Sequence, residues 1–197
     1  IHSVFLSGQA LFVVTDPASN VPADALSINI MQSLFKENTK DGYNYHFMPE
    51  LSYGLNKNLM FRTSAFISNR NTTLVTEGAS FFTKYRFYSV DDQNSHLRMA
   101  AYARYSFNNS DIHQEQIEIL GHNSGYEVGM IATKLIKKLA ISSSISYEKA
   151  LDNNPDYKYP DNQASLTTNY TLSFGRFMKQ KKYTNYKQAN INLMLEI

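Results

Sequence analysis

The sequence predicts an all-β fold, an antiparallel up-and-down β-barrel whose strands cross a membrane. Segments of alternating apolar and polar residues recur along the chain, and successive side chains of a strand point to opposite faces. The apolar faces are rich in Tyr and Phe and the polar faces carry Arg and Glu. The segments are also long for ordinary strands. These features are typical of outer-membrane barrels, which are apolar outside and polar inside.

The alternation divides the chain into an N-terminal region, residues 1–25, and a barrel domain, residues 26–197. We interpret the first region as a periplasmic arm, a plug or a first strand. The barrel domain begins with Leu26–Lys36, where alternation is clear only at the start, and Tyr43–Gly54, where it is clearest. The later strand candidates are Leu59–Ser68, Thr76–Tyr88, Leu97–Asn108, Tyr126–Lys134, Leu139–Lys149, Ala164–Phe177 and Tyr186–Ile197. We therefore expect about nine strands.

The connections between these segments alternate in length. Leu55–Asn58 and Leu135–Lys138 are tight, whereas Asn109–Asn123 and Ala150–Gln163 are long and polar. Ser89–His96 is a turn of medium length. Outer-membrane barrels have short periplasmic turns and long outer loops, so the first strand is expected to rise from the periplasm.

The odd number of strands predicts that the barrel continues beyond this segment. A ninth strand would end on the outer side at Ile197. Bacterial single-chain barrels have even counts, and an open sheet edge in lipid leaves backbone groups unpaired. We therefore expect further strands after residue 197 or from another chain. No signal peptide is visible, so we expect that a leader was removed or lies upstream.

Composition excludes several classes of function. Lys plus Arg number 19 against 17 for Asp plus Glu, a net charge of +2 that does not predict a nucleic-acid partner. Cysteine is absent, which excludes disulfides, thiol catalysis and zinc–thiolate sites. The longest apolar run, Ala10 to Val14, is far shorter than the roughly 20 residues of a spanning helix. The mean hydropathy of −0.39 is compatible with a barrel, because lumen residues dilute the apolar ones.

Charged side chains on the polar faces are the candidate lumen-lining residues. They are Glu50, Arg62, Lys84, Arg86, Arg98, Arg104, Glu127 and Glu148. If the tight turn places Tyr53 opposite Leu59, Glu50 faces Arg62 across two strands. The basic members could form a stripe that favours anions, or could pair with the glutamates and Glu196. We favour the paired network because a polar interior needs satisfied partners.

Histidine and serine patterns do not predict a metal site or an enzyme. His113, Glu115 and His122 share one predicted outer loop, but their spacing is not diagnostic of a metal site, and we predict no metal and no cofactor. His46 and Ser64 lie on neighbouring strands with inward parity, which nucleophilic catalysis would require. Serine is frequent on every polar face, and the chain has no Gly-x-Ser-x-Gly elbow. We therefore predict that the protein is not an enzyme.

Aromatic residues near the strand ends distinguish a membrane barrel from a soluble β-sandwich. Outward parity is shared by Tyr43, Tyr45, Tyr85, Phe87, Tyr105 and Phe107. In a barrel these residues would form the girdles at the membrane interfaces; in a sandwich they would form the core. We favour the girdle because the opposite face carries several arginines.

Several stretches resemble a family of Bacteroidota outer-membrane proteins described as porin- or transporter-like barrels. They are Asp16–Asn20, Met48–Met60, Thr83–Asp92, Met130–Ala140 and Tyr183–Gln188. The resemblance implies a barrel of about twelve strands, of which this chain looks like the N-terminal two thirds. It implies no catalytic motif.

The expected function is that of a channel for small polar solutes or ions in the outer membrane of a Gram-negative bacterium. The first alternative is a structural or accessory subunit of an outer-membrane complex, and the second is a lipid-acting enzyme. The expected partners are outer-membrane lipid and other envelope proteins. Lumen width and plugging, which strand count and residues 1–25 control, would separate channel from scaffold.

Overall fold

A single antiparallel sheet contains every regular element of the described chain. The computed structural model describes residues 15–36, 43–69, 73–112, 117–179 and 191–196. Each strand pairs with the next one along the sequence, so the connectivity is up-and-down. The strands are β1 (Leu26–Lys36), β2 (Tyr43–Gly54), β3 (Leu59–Ser68), β4 (Val75–Asp92), β5 (Ser95–Asn108), β6 (Ser124–Ile136), β7 (Leu139–Leu151), β8 (Leu166–Lys179) and β9 (Ile191–Glu196). Within these ranges no helix is long and apolar enough to cross a membrane.

The prediction of a medium-length turn at Ser89–His96 is wrong. β4 continues to Asp92 and β5 begins at Ser95, which leaves a two-residue turn. The polar composition suggested a loop, but Val90 pairs directly with Leu97 and the ladder continues to the turn. The connections after β2, β4 and β6 are therefore all short, and this end of the sheet is called the short-turn end.

The first short turn has a different register from the one expected. Leu55 N donates to Leu59 O at 3.0 Å, so three residues form the loop. The Asn56 side chain closes this loop by accepting hydrogen bonds from the next strand's first amide and from the amide before it. Tyr53 consequently lies opposite Phe61 rather than Leu59. The shift of two residues preserves the faces of the strands but contradicts the predicted pairing of Glu50 with Arg62.

The two faces of the sheet have opposite polarity. One face, called the inner face, is built of buried small polar residues, among them Ser64, Ser80, Ser106, Ser142 and Ser173. The other, the outer face, exposes large apolar side chains, among them Ile28, Phe61, Phe81, Met130, Tyr147 and Leu193. The predicted girdle residues Tyr85, Phe87, Tyr105 and Phe107 are 42–51% exposed on this face. The side chain of Tyr43 lies outside the described residues.

The sheet is strongly curved around its inner face. Thr15 contacts the far strands, since its amide donates to Glu196 of β9 at 2.8 Å and its hydroxyl bonds Ser173 of β8 at 2.6 Å. The next residue, Asp16, binds Arg62 of β3 at 2.8 Å. In a flat sheet β3 and β8 would be about 24 Å apart. Two consecutive residues bridge them because the strands curl toward each other. Among the described residues β1 and β9 form the two edges.

Candidate functional site

A short N-terminal segment crosses the concave interior near the short-turn end. We call Thr15–Asn20 the interior strap. The amide of Ala18 donates to Thr133 Oγ1 of β6 at 2.9 Å. Arg98 of β5 donates from Nη1 to Ser19 Oγ at 2.9 Å. Side chains of the inner face thus hold the strap by hydrogen bonds. The strap lies where a plug would lie.

Asp16 is the most strongly held residue of the strap. Its two carboxylate oxygens accept from both terminal nitrogens of Arg62, at 2.8 and 2.9 Å. Lys84, which is 1% exposed, donates from Nζ to Pro17 O at 2.7 Å. Burial alone would raise the pKa of Asp16, but the positive charges of Lys84 and Arg62 outweigh burial and hold that pKa below its usual 3.8. The carboxylate and its two cations form one electrostatic unit, the strap anchor.

The lowered pKa of Asp16 predicts acid sensitivity of the strap. The stabilisation is fully present above the unfolded pKa of about 3.9 and disappears as pH falls through the lower folded value. We expect the unfolding free energies of the protein and its Asp16→Asn variant to differ by a constant amount above pH 5. The difference should shrink below about pH 4 in urea titrations of the protein. A difference independent of pH down to pH 2 would contradict this assignment.

Directly after the strap, the chain passes Gly54, the last residue of β2. A Cβ atom on Gly54 would overlap the carbonyl oxygen of Pro22 and crowd that of Val21. Gly54→Ala is therefore expected to displace the strap and to cost about 1–3 kcal/mol in unfolding free energy, measured by urea denaturation. Leu55→Ala, at an exposed neighbouring side chain, is the control and should cost less. If Gly54→Ala were as stable as the parent, the close contact between Gly54 and the carbonyl groups of Val21 and Pro22 would be contradicted.

The central residue of the strap, Ala18, also packs against apolar side chains of the inner face. Ala18 and Ala100 are fully buried and contact Ile131, with the ring of Tyr102 against them. The strap is therefore held by apolar packing as well as by hydrogen bonds.

The middle of the interior contains an aromatic ring between two guanidinium groups. The ring of Phe82, 4% exposed, has the Arg62 and Arg104 guanidinium carbons at 5.1 and 5.3 Å from its centroid. Arg104 also pairs with Glu127 at 2.9 Å, and the Tyr102 hydroxyl donates to Glu127 Oε1 at 2.5 Å. Cation–π and ion-pair contacts thus satisfy these charges within the protein.

The loop between β5 and β6 covers the opposite end of the interior. The ring of His122 lies against His46 of β2, with ring centroids 5.6 Å apart. Asn108 donates from Nδ2 to Gly121 O at 2.8 Å, and Asn153 donates from Nδ2 to His122 O at 2.9 Å. The loop residues from 117 to 123 are therefore fixed over the inner face by asparagine side chains. Strap and loop narrow the interior at its two ends.

The predicted lumen-lining residues lie on the inner face but fall into separate groups. Arg62, Lys84 and Arg98 hold the strap, and Arg104 pairs with Glu127. Glu148 lies opposite Glu127, beside that pair. Two residues lie apart: Glu50 accepts hydrogen bonds from Ser64 and Asn29, and Arg86 donates to the carbonyl of Lys57 at the short-turn end. The charges form pairs and small networks rather than one continuous basic stripe.

The weaker candidates for chemistry do not assemble. His46 lies opposite Ser68, while Ser64 lies opposite Glu50, so His46 and Ser64 are four positions, about 13 Å, out of register. His113 and Glu115 lie outside the described residues, so the predicted chelating loop is not tested. Among the described residues no three His, Cys, Asp or Glu side chains converge as a metal ion would require.

The most important site residue was not predicted from the sequence. Asp16 precedes a proline in a stretch whose composition is typical of a turn, and it lies in no alternating segment. Its ion pair joins residues 46 positions apart, and no local pattern carries such information. Phe82 was not predicted either. The inner face of β4 was expected to carry polar side chains, and Phe82 is an aromatic residue on that face.

Comparison with protein-family models, with curated proteins and with solved structures finds no match for this chain. The resemblance to Bacteroidota barrels therefore stays a prediction.

Proposed function

We propose that this chain forms an outer-membrane β-barrel, or the larger part of one, that passes small polar solutes or ions through a narrowed interior. The observation that carries the proposal is the inverted polarity of the sheet. Large apolar side chains are exposed on the outer face of strands from β1 to β9, and serines and ion pairs are buried on the inner face. Such an arrangement is favourable when lipid, not water, contacts the outer face.

The interior strap and the β5–β6 loop support a restricted path rather than a wide pore. The strap spans the inner face near the short-turn end, and the loop residue His122 reaches β2 at the other end. A solute would therefore pass polar groups at close range. In narrow pores such groups replace part of the solute's hydration shell and set selectivity.

Single-channel recording of the purified full-length protein in planar bilayers tests the proposal. We expect a small conductance that increases at least two-fold in Asp16→Ala, because this variant frees the strap. Asp24→Asn, outside the strap, should conduct like the parent. Verified insertion without any conductance in parent and variant would overturn the channel proposal.

A second function, an accessory subunit of an envelope complex, is favoured by one observation. The interior charges Arg62, Arg104 and Glu127 already have partners within the described chain. An interior satisfied by itself is what a structural barrel needs. Insertion with no conductance is the outcome that would support this second function.

A further inference from the structure

Four cationic side chains lie together where the outer face meets the short-turn end of β6–β8. All four are exposed, and we call them the basic surface: Lys134, Lys137, Lys138 and Arg176. Lys134 and Arg176 lie on outer-face positions of β6 and β8, and the two other lysines form the turn that joins β6 to β7. Since neighbouring strands are about 4.8 Å apart, β6 and β8 are separated by about 10 Å. One anionic group over β7 is therefore within reach of cations from both sides.

The basic surface has no acidic partner among the described residues. Its members take part in none of the ion pairs within 4 Å that these residues form. The adjoining β4–β5 turn carries Asp91 and Asp92, but the first binds His96 at 2.7 Å and the second accepts from the Gln93 amide. The short-turn end is thus acidic at β4–β5 and basic at β6–β8.

The sequence around the basic surface also lacks acidic residues. None occurs between Glu127 and Glu148, between Asp161 and Glu196, or in residues 1–14. Residues 180–190, which follow β8 and lie outside the described residues, contribute three further lysines to the composition. The counter-charge is therefore not supplied by the strands and the turn that carry the basic surface, nor by the segment that joins β8 to β9.

Apolar side chains border the cations on the outer face. Ile136 and Leu139 lie in one row with Arg176, and Ile141 lies in the next row, opposite Lys134. Ile136 is 39% exposed. An anionic group held by the cations would continue into hydrocarbon along this face. Cations beside an apolar surface are the arrangement that recognises an anionic lipid at a membrane interface.

Lys137 has a backbone conformation that lysine rarely adopts. Its φ is 53°, in the left-handed region that favours Gly and Asn. Its amide donates to Asn94 O at 2.9 Å, which fixes the turn against the β4–β5 turn. Turn geometry gives no reason for a lysine at this position, whereas binding of an anion does.

We propose that the basic surface binds the headgroup of an anionic phospholipid of the phosphatidylglycerol class. The phosphate lies among the four cations, and the acyl chains pack on the apolar outer face of β6–β8. This proposal rests on the proposed function, because it requires that lipid contacts the outer face. Each cation close to the headgroup should strengthen binding about five-fold.

Native mass spectrometry of the full chain in detergent micelles tests the proposal. The probes are dioleoylphosphatidylglycerol and dioleoylphosphatidylcholine, which have the same acyl chains but differ in net charge. We expect the parent to retain one phosphatidylglycerol at least ten-fold more strongly than phosphatidylcholine. An excess of inorganic phosphate should not displace it, because phosphate has no acyl chains. Equal retention of the two lipids, retention of neither, or displacement by phosphate would overturn the proposal.

Variants that remove positive charge locate the site. The double variant Lys134→Gln/Lys138→Gln should weaken phosphatidylglycerol binding about ten-fold or more, and Lys137→Asn about five-fold. Asn suits the left-handed φ at position 137, so this variant should fold at least as well as the parent. The control, Lys57→Gln/Lys158→Gln, removes two exposed lysines elsewhere and should change binding less than two-fold. Equal losses in the two double variants, or unchanged binding in Lys137→Asn and Lys134→Gln/Lys138→Gln, would overturn the proposal.

Lipid retention in detergent requires no conduction, so this test and that of the channel fail separately. A protein that conducts in planar bilayers but retains the two lipids equally would overturn the lipid site alone. A protein that prefers phosphatidylglycerol and inserts without conductance would overturn the channel alone.

Discussion

Asp16→Ala is expected to lower the unfolding free energy by about 3 kcal/mol, the lower end of the cost of breaking a buried ion pair. The variant leaves Arg62 without its bidentate partner and removes the negative charge that acts on Lys84. The Asp16 side chain is 23% exposed, so water compensates part of the loss. Urea denaturation in lipid vesicles measures the change. The strap should also become sensitive to proteinase K.

Asp24→Asn is the matched control for this prediction. Asp24 has a backbone φ of 58°, which Asn adopts readily. Its carboxylate is exposed and accepts one side-chain hydrogen bond, from the Tyr53 hydroxyl at 3.3 Å. We expect a change within about 0.5 kcal/mol. Similar losses in both aspartate variants would mean that the strap anchor contributes nothing specific.

Ile145→Arg is expected to cost about 2–4 kcal/mol if the residue lies near the bilayer midplane. Ile145 is in the middle of β7 and is 48% exposed on the outer face. A guanidinium group there would lose its hydration to hydrocarbon. The free energy of unfolding from lipid vesicles, measured by urea titration, gives the cost.

The adjacent Ser144→Arg changes the inner face and is the control. Ser144 is only partly buried, and its hydroxyl forms a hydrogen bond with Thr171 Oγ1 at 2.6 Å. Losing this hydrogen bond should lower the unfolding free energy by about 1 kcal/mol. The inner-face position Ala100 would not serve as a control. Ala100 is fully buried against the strap, so an arginine there would overpack the interior. Equal costs at Ile145 and Ser144 would contradict the assignment of the two faces.

The strands could be predicted because a two-residue period indicates their faces directly. The bounds Leu26–Lys36, Tyr43–Gly54 and Leu59–Ser68 are the same in sequence and structure. Outward parity of Tyr85 and Tyr105 is confirmed by their exposure. Periodicity reports only on which side a residue lies, so it could not specify that Tyr53 pairs with Phe61.

The candidate site could be predicted only in part. The sequence placed Arg62, Lys84 and Arg104 on the polar faces but could not show what they contact. The anchor depends on Asp16, which belongs to no strand and reaches β3 because the sheet curves. The position of the β5–β6 loop depends on Asn153, which donates to Ser110 O and His122 O from a different loop. Contacts of this kind leave no local pattern.

The central claim is that the outer face contacts lipid while the inner face does not. Spin labels on single cysteines test it, since the natural chain has no cysteine. In reconstituted bilayers a label at Ile145 should be relaxed more strongly by oxygen than by a water-soluble nickel chelate, because oxygen concentrates in hydrocarbon. A label at Ser144 should be poorly accessible to oxygen. Preferential relaxation of the Ile145 label by the nickel chelate would contradict the membrane assignment.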